Sequence, residues 1–442
     1  MSRTAWRLAI VCLLAVTVRL QAQSTEVPLG FVPKHERVLA KRGVQLGEGL
    51  VATSSFERET RPLAQASNIQ QATFVDDVAV QQACGPCANP RFMPKLWFEA
   101  NYLHWWTNGA AAPALASTSP SGTAQNVAGV LPDATVLYGN DDILDGSNSG
   151  ARFTLGMWLN AEQLTSIQIS YLYFDEDEAF ASSGTDSGIL ARPFFNVSLD
   201  AEDSRLIEFP NLVTGSLSIQ SSSELSSFEI LLKRRRSTGF GNSRSEFLFG
   251  YRRADLNDFL RINETTTSLA NPTLDTQFAL FDEFQTDNEF HGAQFGISFD
   301  GPQIDCWSTN LLAKVALGNT TSRYTAVGQT VTTTATGDTS SVGSGLLVQD
   351  SNSGTVYDDE FSTVTELGIS FRRQYECGWS INLGYTFFHW SEVARAVEQI
   401  DRRVNETQIP PNTLVGEALP ARLLNRSDFW AQGISVGIEY RF

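Results

Sequence analysis

The C-terminal stretch of the chain, "DFWAQGISVGIEYRF" at residues 428–442, alternates between two kinds of side chain along its whole length. The set that runs from Trp430 to Phe442 is mostly apolar, whereas the set from Phe429 to Arg441 is mostly small or charged. A period of two is typical of a β-strand with one apolar face. C-terminal residues are usually frayed and polar, so a strand that ends on phenylalanine indicates that even the last residue is paired.

The same alternation recurs in nine earlier segments. They lie at 95–107, 151–160, 167–173, 228–235, 246–252, 292–299, 307–317, 366–372 and 379–387. In each segment one face is apolar, with aromatic residues near its ends, and the other face holds small residues and single charges of both signs. A soluble β-sandwich also alternates, but apolar faces with aromatic rims are typical of strands that face lipid.

The connections between these ten segments alternate in length. Short turns such as "GPQID" (301–305) follow every second segment, whereas long loops span 108–149, 175–224, 255–287, 319–360 and 392–427. Outer-membrane barrels have short periplasmic turns, long external loops and an even number of strands. We therefore predict an all-β, transmembrane, antiparallel up-and-down β-barrel of about ten strands. Two β-like pieces in the loops, "FALFDEF" and "SRYTAVGQTVTTTAT", either extend strands or add pairs, which would raise the count to at most about fourteen.

The N-terminus predicts export. Residues 1–22 begin with a short basic region and continue with an apolar run from Leu8 to Val18, which is the pattern of a signal peptide. Residues 23–94 mix Gly, Pro, Gln and charged residues without sustained periodicity, so we predict a flexible periplasmic leader. The barrel itself is predicted to span residues 95–442.

Four cysteines remain after such a cleavage, and export permits disulfides. Cys84 and Cys87 form "CGPC", which matches the thioredoxin active site, but the two prolines of the following "ANPRFMP" prevent the helix that this site needs. We favour a linker disulfide or a spare thiol pair there. Cys306 opens the seventh segment and Cys377 closes the eighth. Antiparallel neighbours bring those two ends together, so we predict a disulfide between Cys306 and Cys377.

Two stretches resemble the start and the end of one bacterial family. "WFEANYLHWWTNGAAAPALAST", followed by "GARFTLGMWLN", resembles the beginning of the β-barrel porin-7 family, and "VARAVEQIDRRVNETQIP", followed by the C-terminal strand, resembles its end. The resemblance covers roughly residues 95–442 and implies a barrel in the bacterial outer membrane without supplying a substrate. The first loop departs from the family pattern, since "AAAPALAST" stands where bulkier apolar residues are expected.

The C-terminal strand also resembles the signal that the barrel assembly machinery reads, with Tyr440 and Phe442 as the signal residues. Phe442 must pair with the first strand so that no sheet edge is left open in the membrane. The expected partners are therefore outer-membrane lipid and that machinery, and the oligomeric state is left open. The formal net charge of -17 disfavours nucleic acid as a partner.

The polar faces of the ten segments would line the barrel lumen. They carry charges of both signs, namely Glu99, Arg152, Glu229, Lys233, Arg235, Glu246, Arg252, Lys314, Glu366, Arg372, Glu439 and Arg441. Buried charges need partners. A barrel of about ten strands is only slightly wider than one that its own side chains fill, whereas open porins have about sixteen or more. With ten strands we expect these charges to pair across the lumen and close it, or to leave a narrow path; with more strands they would line a channel.

The leading functional hypothesis is passive diffusion of small polar solutes through a porin-like barrel. The alternatives are a non-conducting barrel that presents external loops for adhesion or envelope structure, an outer-membrane enzyme, and a soluble secreted β-sandwich. The chain has only four histidines, and no catalytic triad, cofactor-binding residue or metal-ligand set is legible. We therefore predict that it is not an enzyme and uses no cofactor.

A run of four basic residues, Lys233 to Arg236, falls at the predicted periplasmic rim of the fourth segment. Alternate residues of a strand point to opposite faces. Two of these side chains would therefore face the lumen, and the other two would extend to lipid headgroups, with interfacial anchoring as the expected role.

Overall fold

The structure is a computed structural model that describes residues 95–237, 243–304, 306–375, 378–409 and 412–442. Ten long strands make up most of this part of the chain: β1 (Leu96–Thr107), β2 (Ser147–Trp158), β3 (Thr165–Ser182), β4 (Val213–Ser237), β5 (Arg244–Ser268), β6 (Gln277–Asp300), β7 (Trp307–Thr333), β8 (Gly354–Gln374), β9 (Trp379–Val393) and β10 (Ser427–Arg441). The predicted signal peptide and leader, with Cys84 and Cys87, lie outside the described residues.

The ten strands form one closed antiparallel ring in which each strand pairs with its sequence neighbours, and β1 pairs with β10. The backbone N–H groups of Lys95 and Leu96 donate to the carbonyl oxygen of Phe442 at 2.9 and 3.0 Å. The N–H of Phe442 donates to the carbonyl oxygen of Leu96 at 3.0 Å. The last residue of the chain therefore takes part in closing the ring, and the predicted ten-stranded up-and-down barrel is confirmed.

Short turns gather at one end of the ring, which we call the turn end, together with Lys95 and Phe442. The other end, which we call the loop end, receives the remaining connections, at 108–146, 183–212, 269–276, 334–353 and 394–426. Three predicted loops were too long, because strands β3 to β8 continue well into 175–224, 255–287 and 319–360. "FALFDEF" belongs to β6 and most of "SRYTAVGQTVTTTAT" to β7, so these pieces extend strands and add none to the ring.

Near the turn end the outer face of the ring is a continuous apolar band. On β10, Ile434, Val436 and Ile438 are each about half exposed, at 45, 49 and 51%. The other nine strands contribute similar exposed residues, among them Tyr102, Leu155, Ile169, Leu232, Phe249, Ile297, Leu311, Ile369 and Leu383. So much exposed apolar surface on every strand indicates contact with lipid rather than water.

Aromatic residues mark both rims of this apolar band. At the turn end the rings of Trp379 and Tyr440 lie 4.6 Å apart, and at the opposite rim those of Phe387 and Trp430 lie 6.4 Å apart. On β10 the band runs from Tyr440 to Trp430, which matches the roughly ten residues that a tilted strand needs to cross a bilayer. Within the described residues, no helix is long and apolar enough to cross a membrane.

Beyond the band the polarity of the two faces reverses. On β5 the outward side chains change from Phe249 in the band to Asn257 beyond it, while the inward side chains change from Arg252 to Leu256 and Leu260. Strands β4 to β7 have 24 to 27 residues each, so they rise far past the band at about 3.3 Å per residue. A wall with water outside must put its apolar side chains inside, which explains the reversal.

The connections at the loop end fold into the ring. Five short strands form a small sheet there: Ala116–Thr118, Thr135–Tyr138, Leu190–Asn196, Ala201–Glu208 and Arg403–Val404. Three further short strands are Ala110–Ala111, Asp142–Ile143 and Thr339–Val342. The small sheet packs with inward residues of β4 to β6 in one apolar cluster, which includes Leu190, Phe194, Ile219, Leu260, Ile262 and Phe284.

Candidate functional site in the barrel lumen

The structure places all twelve charged residues expected in the lumen on the inner face of the ring. Ten of them line a cavity near the turn end: Glu99, Arg152, Glu229, Lys233, Arg235, Glu246, Lys314, Arg372, Glu439 and Arg441. The other two, Arg252 and Glu366, are buried against members of the same set. The charges form two layers at different heights in the lumen.

Five side chains meet across the lumen in what we call the central ion layer: Arg152, Glu229, Arg252, Lys314 and Glu366. Lys314 Nζ lies 2.9 Å from Glu229 Oε2 and 3.0 Å from Glu366 Oε2. Arg252 Nη2 lies 2.5 Å from Glu366 Oε2. Arg152 approaches from β2, four strands away around the ring from Glu366 on β8, with Nη1 at 2.8 Å from Glu366 Oε1.

This pairing satisfies charges that would be costly to bury alone. Glu366 is fully buried and contacts three cations. Glu229 is also buried, and it accepts a hydrogen bond from Gln294 Nε2 at 2.8 Å in addition to its ion pairs. A charge in a low-dielectric interior is tolerated only when it is paired and hydrogen-bonded. The central ion layer therefore fills the lumen at this height with groups that hold one another in place.

Seven lumen charges lie nearer the turn end: Glu99, Lys233, Arg235, Glu246, Arg372, Glu439 and Arg441. Lys233 Nζ and Arg235 Nη2 lie 2.9 and 2.8 Å from the two carboxylate oxygens of Glu246. Glu439 pairs with Arg441 at 2.6 Å and with Arg372 at 3.2 Å. These partners lie on the same strand, on neighbouring strands or, for Arg372 and Glu439, two strands apart, so the pairing leaves space in the middle of the lumen.

That space is a cavity of about 200 Å³ between the central ion layer and the turn end. At about 30 Å³ per water molecule, it has room for roughly six or seven waters. The cavity wall contains small residues such as Gly368, Gly384 and Ser435 beside the charges. The lumen at the turn end is therefore polar and only partly filled.

One carboxylate of this wall is held by amides. Asn101 Nδ2 and Asn382 Nδ2 donate to Glu99 Oε1 at 2.9 and 2.6 Å. Gly437 lies between the two asparagines, and a Cβ there would come within 2.1 Å of Asn101 Oδ1 and 2.6 Å of Asn382 Oδ1. A side chain at position 437 would displace both asparagines, so the glycine is required by this arrangement.

Beyond the central ion layer, toward the loop end, the lumen is filled by what we call the apolar layer. Its members are buried: Leu103, Trp105, Leu172, Phe174, Leu225, Ala254, Leu256, Phe290, Ala316, Val364, Phe388, Trp390, Val393, Phe429 and Ala431. The rings of Phe290 and Trp390 meet edge to face with centroids 6.0 Å apart. The Arg252 guanidinium lies 5.5 Å from the Phe388 ring, so the two layers are in contact.

The alternation of the ten segments does not predict the apolar layer, although the chain carries another signal for it. Three of its aromatic residues stand directly beside a second aromatic residue, in the pairs Trp105–Trp106, Phe387–Phe388 and Phe429–Trp430. Neighbouring residues of a strand face opposite sides of the sheet, so one member of each pair must face the lumen. These three pairs therefore mark the height at which both faces of the barrel are apolar, whereas another pair, Trp97–Phe98, lies at the turn end, where Trp97 lines the cavity.

A segment after β9, residues 394–408, covers the apolar layer, and we call it the covering segment. Arg395 is buried, with Nε 2.5 Å from Asp258 Oδ2 and Nη1 donating to the carbonyl oxygen of Gly109 at 2.9 Å. Asn288 on β6 binds both sides of the Ala394 backbone, each at 2.8 Å. The covering segment carries most of the "VARAVEQIDRRVNETQIP" stretch, so that stretch has a structural role inside the barrel.

A second buried ion group anchors the small sheet. Arg192 Nη2 lies 2.6 Å from Asp282 Oδ2, and Arg192 also reaches Glu264 at 3.4 Å. Asp282 Oδ1 accepts hydrogen bonds from the backbone N–H groups of Leu347 and Val348 at 3.0 and 2.8 Å. Arg192 thus fixes a connection of the loop end to the tall wall of β5 and β6.

Cys306 is disulfide-bonded, whereas Cys377 lies outside the described residues, so their pairing stays a prediction. The N–H of Gln374 donates to the carbonyl oxygen of Cys306 at 2.9 Å, which places the end of β8 beside the start of β7. The assembly role of Tyr440 and Phe442 also stays a prediction. Their rings lie 5.2 Å apart at the turn end.

A closed ring of ten strands with an apolar outer band and a charged lumen defines an outer-membrane β-barrel. The chain belongs to the family described as "Putative beta barrel porin-7", which matches residues 97–442. The resemblance noted in the sequence is thereby confirmed, as is the bacterial outer membrane as the location. The turn end is accordingly the periplasmic end of the barrel, and the loop end is the external one.

Similarity to individual proteins is much weaker. No curated protein matches the chain. Among solved structures, the outer membrane protease OmpT from Escherichia coli shares 6% identity with a TM-score of 0.36, over 79% of this chain and 98% of that one. A Pseudomonas aeruginosa FadL homologue shares 10% identity with a TM-score of 0.21, over 79% of this chain and 91% of that one. The outer membrane channel DcaP of Acinetobacter baumannii shares 8% with a TM-score of 0.16, over 81% of this chain and 100% of that one. Scores this low say nothing about activity.

Proposed function

We propose that this protein is a non-conducting outer-membrane barrel that presents a folded external surface for adhesion or envelope structure. The observation that carries the proposal is the stacking of three obstructions in the lumen: the central ion layer, the apolar layer and the covering segment. The apolar layer is the most restrictive of the three, because water and ions do not pass a packed set of buried aromatic side chains. A solute would have to displace it as well as the buried ion pairs.

The external surface supports the same proposal. The connections at the loop end form the small sheet and its apolar cluster, and Arg192 and Arg395 anchor them to the barrel wall. A folded surface of this kind keeps one shape without a bound partner. That property suits adhesion or a structural role in the envelope better than transport. No catalytic group is part of the proposal.

Passive diffusion of small polar solutes is the second candidate, and the cavity of about 200 Å³ at the periplasmic end favours it. The cavity wall carries side chains of both charges, as the entrance of a weakly selective channel would. This candidate requires the apolar layer and the covering segment to move aside.

Planar-bilayer conductance of the purified full-length protein tests the two candidates. We expect no conductance steps from the wild-type barrel once vesicle flotation has shown that it is inserted. Frequent steps from the inserted wild-type barrel would refute the non-conducting proposal and support diffusion.

Two variants make the conductance test sharper. Phe290→Ala with Trp390→Ala thins the apolar layer, and Arg395→Ala loosens the covering segment. If diffusion is the native function, both changes should raise a conductance that the wild type already has. Under our proposal the wild type gives no conductance steps, whether or not the variants conduct.

A further inference from the structure

The outward-facing arginines of the barrel differ between its two ends. Toward the loop end each has its own carboxylate on the outer face: Arg253 pairs with Asp255 and Glu289, Arg261 with Glu283, and Arg323 with Asp287, at N–O distances of 2.5 to 3.0 Å. These cations are neutralised by the protein itself. They leave little net positive charge for a lipid headgroup.

At the turn end, three outward arginines form no ion pair within the described residues. One of them, Arg373 on β8, lies over the rings of Trp307 and Tyr375 at 5.4 and 5.2 Å, whereas the other two are close together on β4. Arg234 and Arg236 are exposed on β4, and neither forms an ion pair within the part of the chain that the structure describes. The turn that follows, "STGFGNS" at residues 237–243, contains no acidic residue. In the turn between β2 and β3, the Glu162 carboxylate accepts a hydrogen bond from Asn160 at 2.9 Å.

The basic run is thus divided between two faces. Lys233 and Arg235 point inward and share the carboxylate of Glu246, whereas Arg234 and Arg236 point outward. The carboxylate of Glu246 offsets part of the charge of the inward pair, whereas the outward pair forms no ion pair within the described residues. Of the four basic residues, only Arg234 and Arg236, at the lipid-facing positions, are available to bind an anion outside the barrel.

The position of Arg234 and Arg236 along the barrel axis indicates which part of the membrane they contact. Leu232, two residues before Arg234, is an exposed member of the apolar band, and Arg234 lies opposite Phe247 of the same band in the β4–β5 register. Strand β4 ends at Ser237. The guanidinium groups therefore lie where the apolar band ends at the periplasmic side, and long basic side chains at this height extend to lipid headgroups.

We propose that Arg234 and Arg236 form a binding site for the headgroup of an anionic phospholipid in the periplasmic leaflet of the outer membrane. Two neighbouring guanidinium groups fit a phosphodiester well, because each offers a planar set of N–H donors. A net-negative lipid is favoured over a zwitterionic one, since neither arginine forms an ion pair with an acid of the described chain. Each cation near an anionic lipid surface contributes a factor of about five in affinity, or on the order of 25-fold for the pair.

Native mass spectrometry of the full-length barrel in detergent tests this site, with phosphatidylglycerol and phosphatidylcholine as the two probes. Wild type should bind phosphatidylglycerol more tightly than phosphatidylcholine, which carries the same phosphate but no net charge. The double variant Arg234→Gln/Arg236→Gln should lose roughly 25-fold in affinity for phosphatidylglycerol and change little toward phosphatidylcholine. Equal binding of both lipids by wild type would overturn the proposal, as would an affinity of the double variant within about two-fold of wild type.

Two further variants complete the experiment. Arg253→Gln is the matched control, because Arg253 is exposed and outward-facing but already paired; it should bind phosphatidylglycerol as wild type does, and an equal loss there would refute the site. Arg234→Lys/Arg236→Lys keeps both charges but loses the planar N–H donors, so its affinity should lie between those of wild type and the glutamine variant; a loss as large as that of the glutamine variant would contradict recognition by charge. Unchanged heat-modifiable migration on a gel shows that each variant is folded.

Discussion

The same strands build two regions with opposite polarity. In the apolar band Phe249 faces lipid and Arg252 faces the lumen, whereas further along the same strand Asn257 faces water and Leu260 faces the interior. The backbone and its hydrogen bonds do not change between the two regions. What changes is the medium outside the wall, so the solvent decides which face must be apolar.

The regions also differ in what fills them. The band region encloses ion pairs and a cavity, and the loop-end region encloses the apolar layer, the covering segment and the small sheet. Most charges of the central ion layer are buried by the wall and by one another. Charges on the outer wall beyond the band are exposed. Chemically similar ion pairs should therefore contribute very differently to the free energy of unfolding in the two regions.

The largest expected effect comes from removing a buried carboxylate of the central ion layer. Glu366→Ala leaves Arg152, Arg252 and Lys314 with Glu229 as their one remaining acid in that layer. Breaking a buried ion pair by removing one partner costs about 3–5 kcal/mol. We expect a loss of that size in the free energy of unfolding, measured with guanidinium on the barrel in phospholipid vesicles.

Glu283→Ala is the control for this measurement. Glu283 pairs with Arg261 at 3.0 Å on the outer wall, where the side chains are 23% and 35% exposed. An exposed pair of this kind contributes about 0–1 kcal/mol. Similar losses for the two variants would show that the lumen of the band region is as well hydrated as the outer wall.

The sequence predicted the ring better than it predicted the strand lengths. Ten segments were found because the band region keeps its apolar residues on one set of alternate positions. That pattern ends where the polarity reverses, near Arg252 on β5, so it does not predict the rest of each tall strand. An alternation of opposite phase does predict the continuations, since Leu256, Leu260 and Ile262 stand at even-numbered positions like Arg252.

An arginine introduced on the outer face should destabilise the barrel much more within the apolar band than beyond it. Val436 is 49% exposed at the middle of the apolar band, and Val436→Arg should cost about 2–4 kcal/mol because a basic side chain near the bilayer midplane is unfavourable. Thr265 is exposed on β5 beyond the band, and Thr265→Arg should stay within about 0.5 kcal/mol of wild type. Unfolding from vesicles measures both. A large cost at Thr265 would place that part of the wall in lipid and contradict the reversal.

Only some of the residues that fill the lumen could be predicted from the sequence. The twelve charges follow from alternation, because their positions oppose apolar residues within the same segments. The apolar layer and the covering segment depend on contacts between distant parts of the chain, such as Arg395 with Asp258 and Asn288 with Ala394. No local pattern encodes those contacts, so the closure of the barrel could not be derived from strand periodicity.

The smallest expected effect concerns pH at the loop end. Burial raises the pKa of Tyr138 to about 12, the nearby Glu178 carboxylate adds to the rise, and a hydrogen bond with Ser221 opposes it. An unfolded tyrosine titrates near pH 10, so the folded state favours the neutral phenol. The stability that Tyr138 contributes is therefore complete below about pH 10 and is lost as the pH rises toward 12.

Limited proteolysis of residues 108–146 across this pH range measures the effect, with tyrosinate absorbance followed in parallel. In wild type, cleavage should increase as Tyr138 ionises, because a buried phenolate cannot stay in the apolar cluster against which Tyr138 packs. Tyr138→Phe should reduce the late part of the absorbance titration and make the cleavage less dependent on pH. Tyr357→Phe, at a side chain that is 66% exposed, should leave the cleavage and the late part of the absorbance titration unchanged. Cleavage that rises identically in wild type and Tyr138→Phe would mean that the external sheet opens for another reason. The two regions would then differ in polarity without differing in their response to charge.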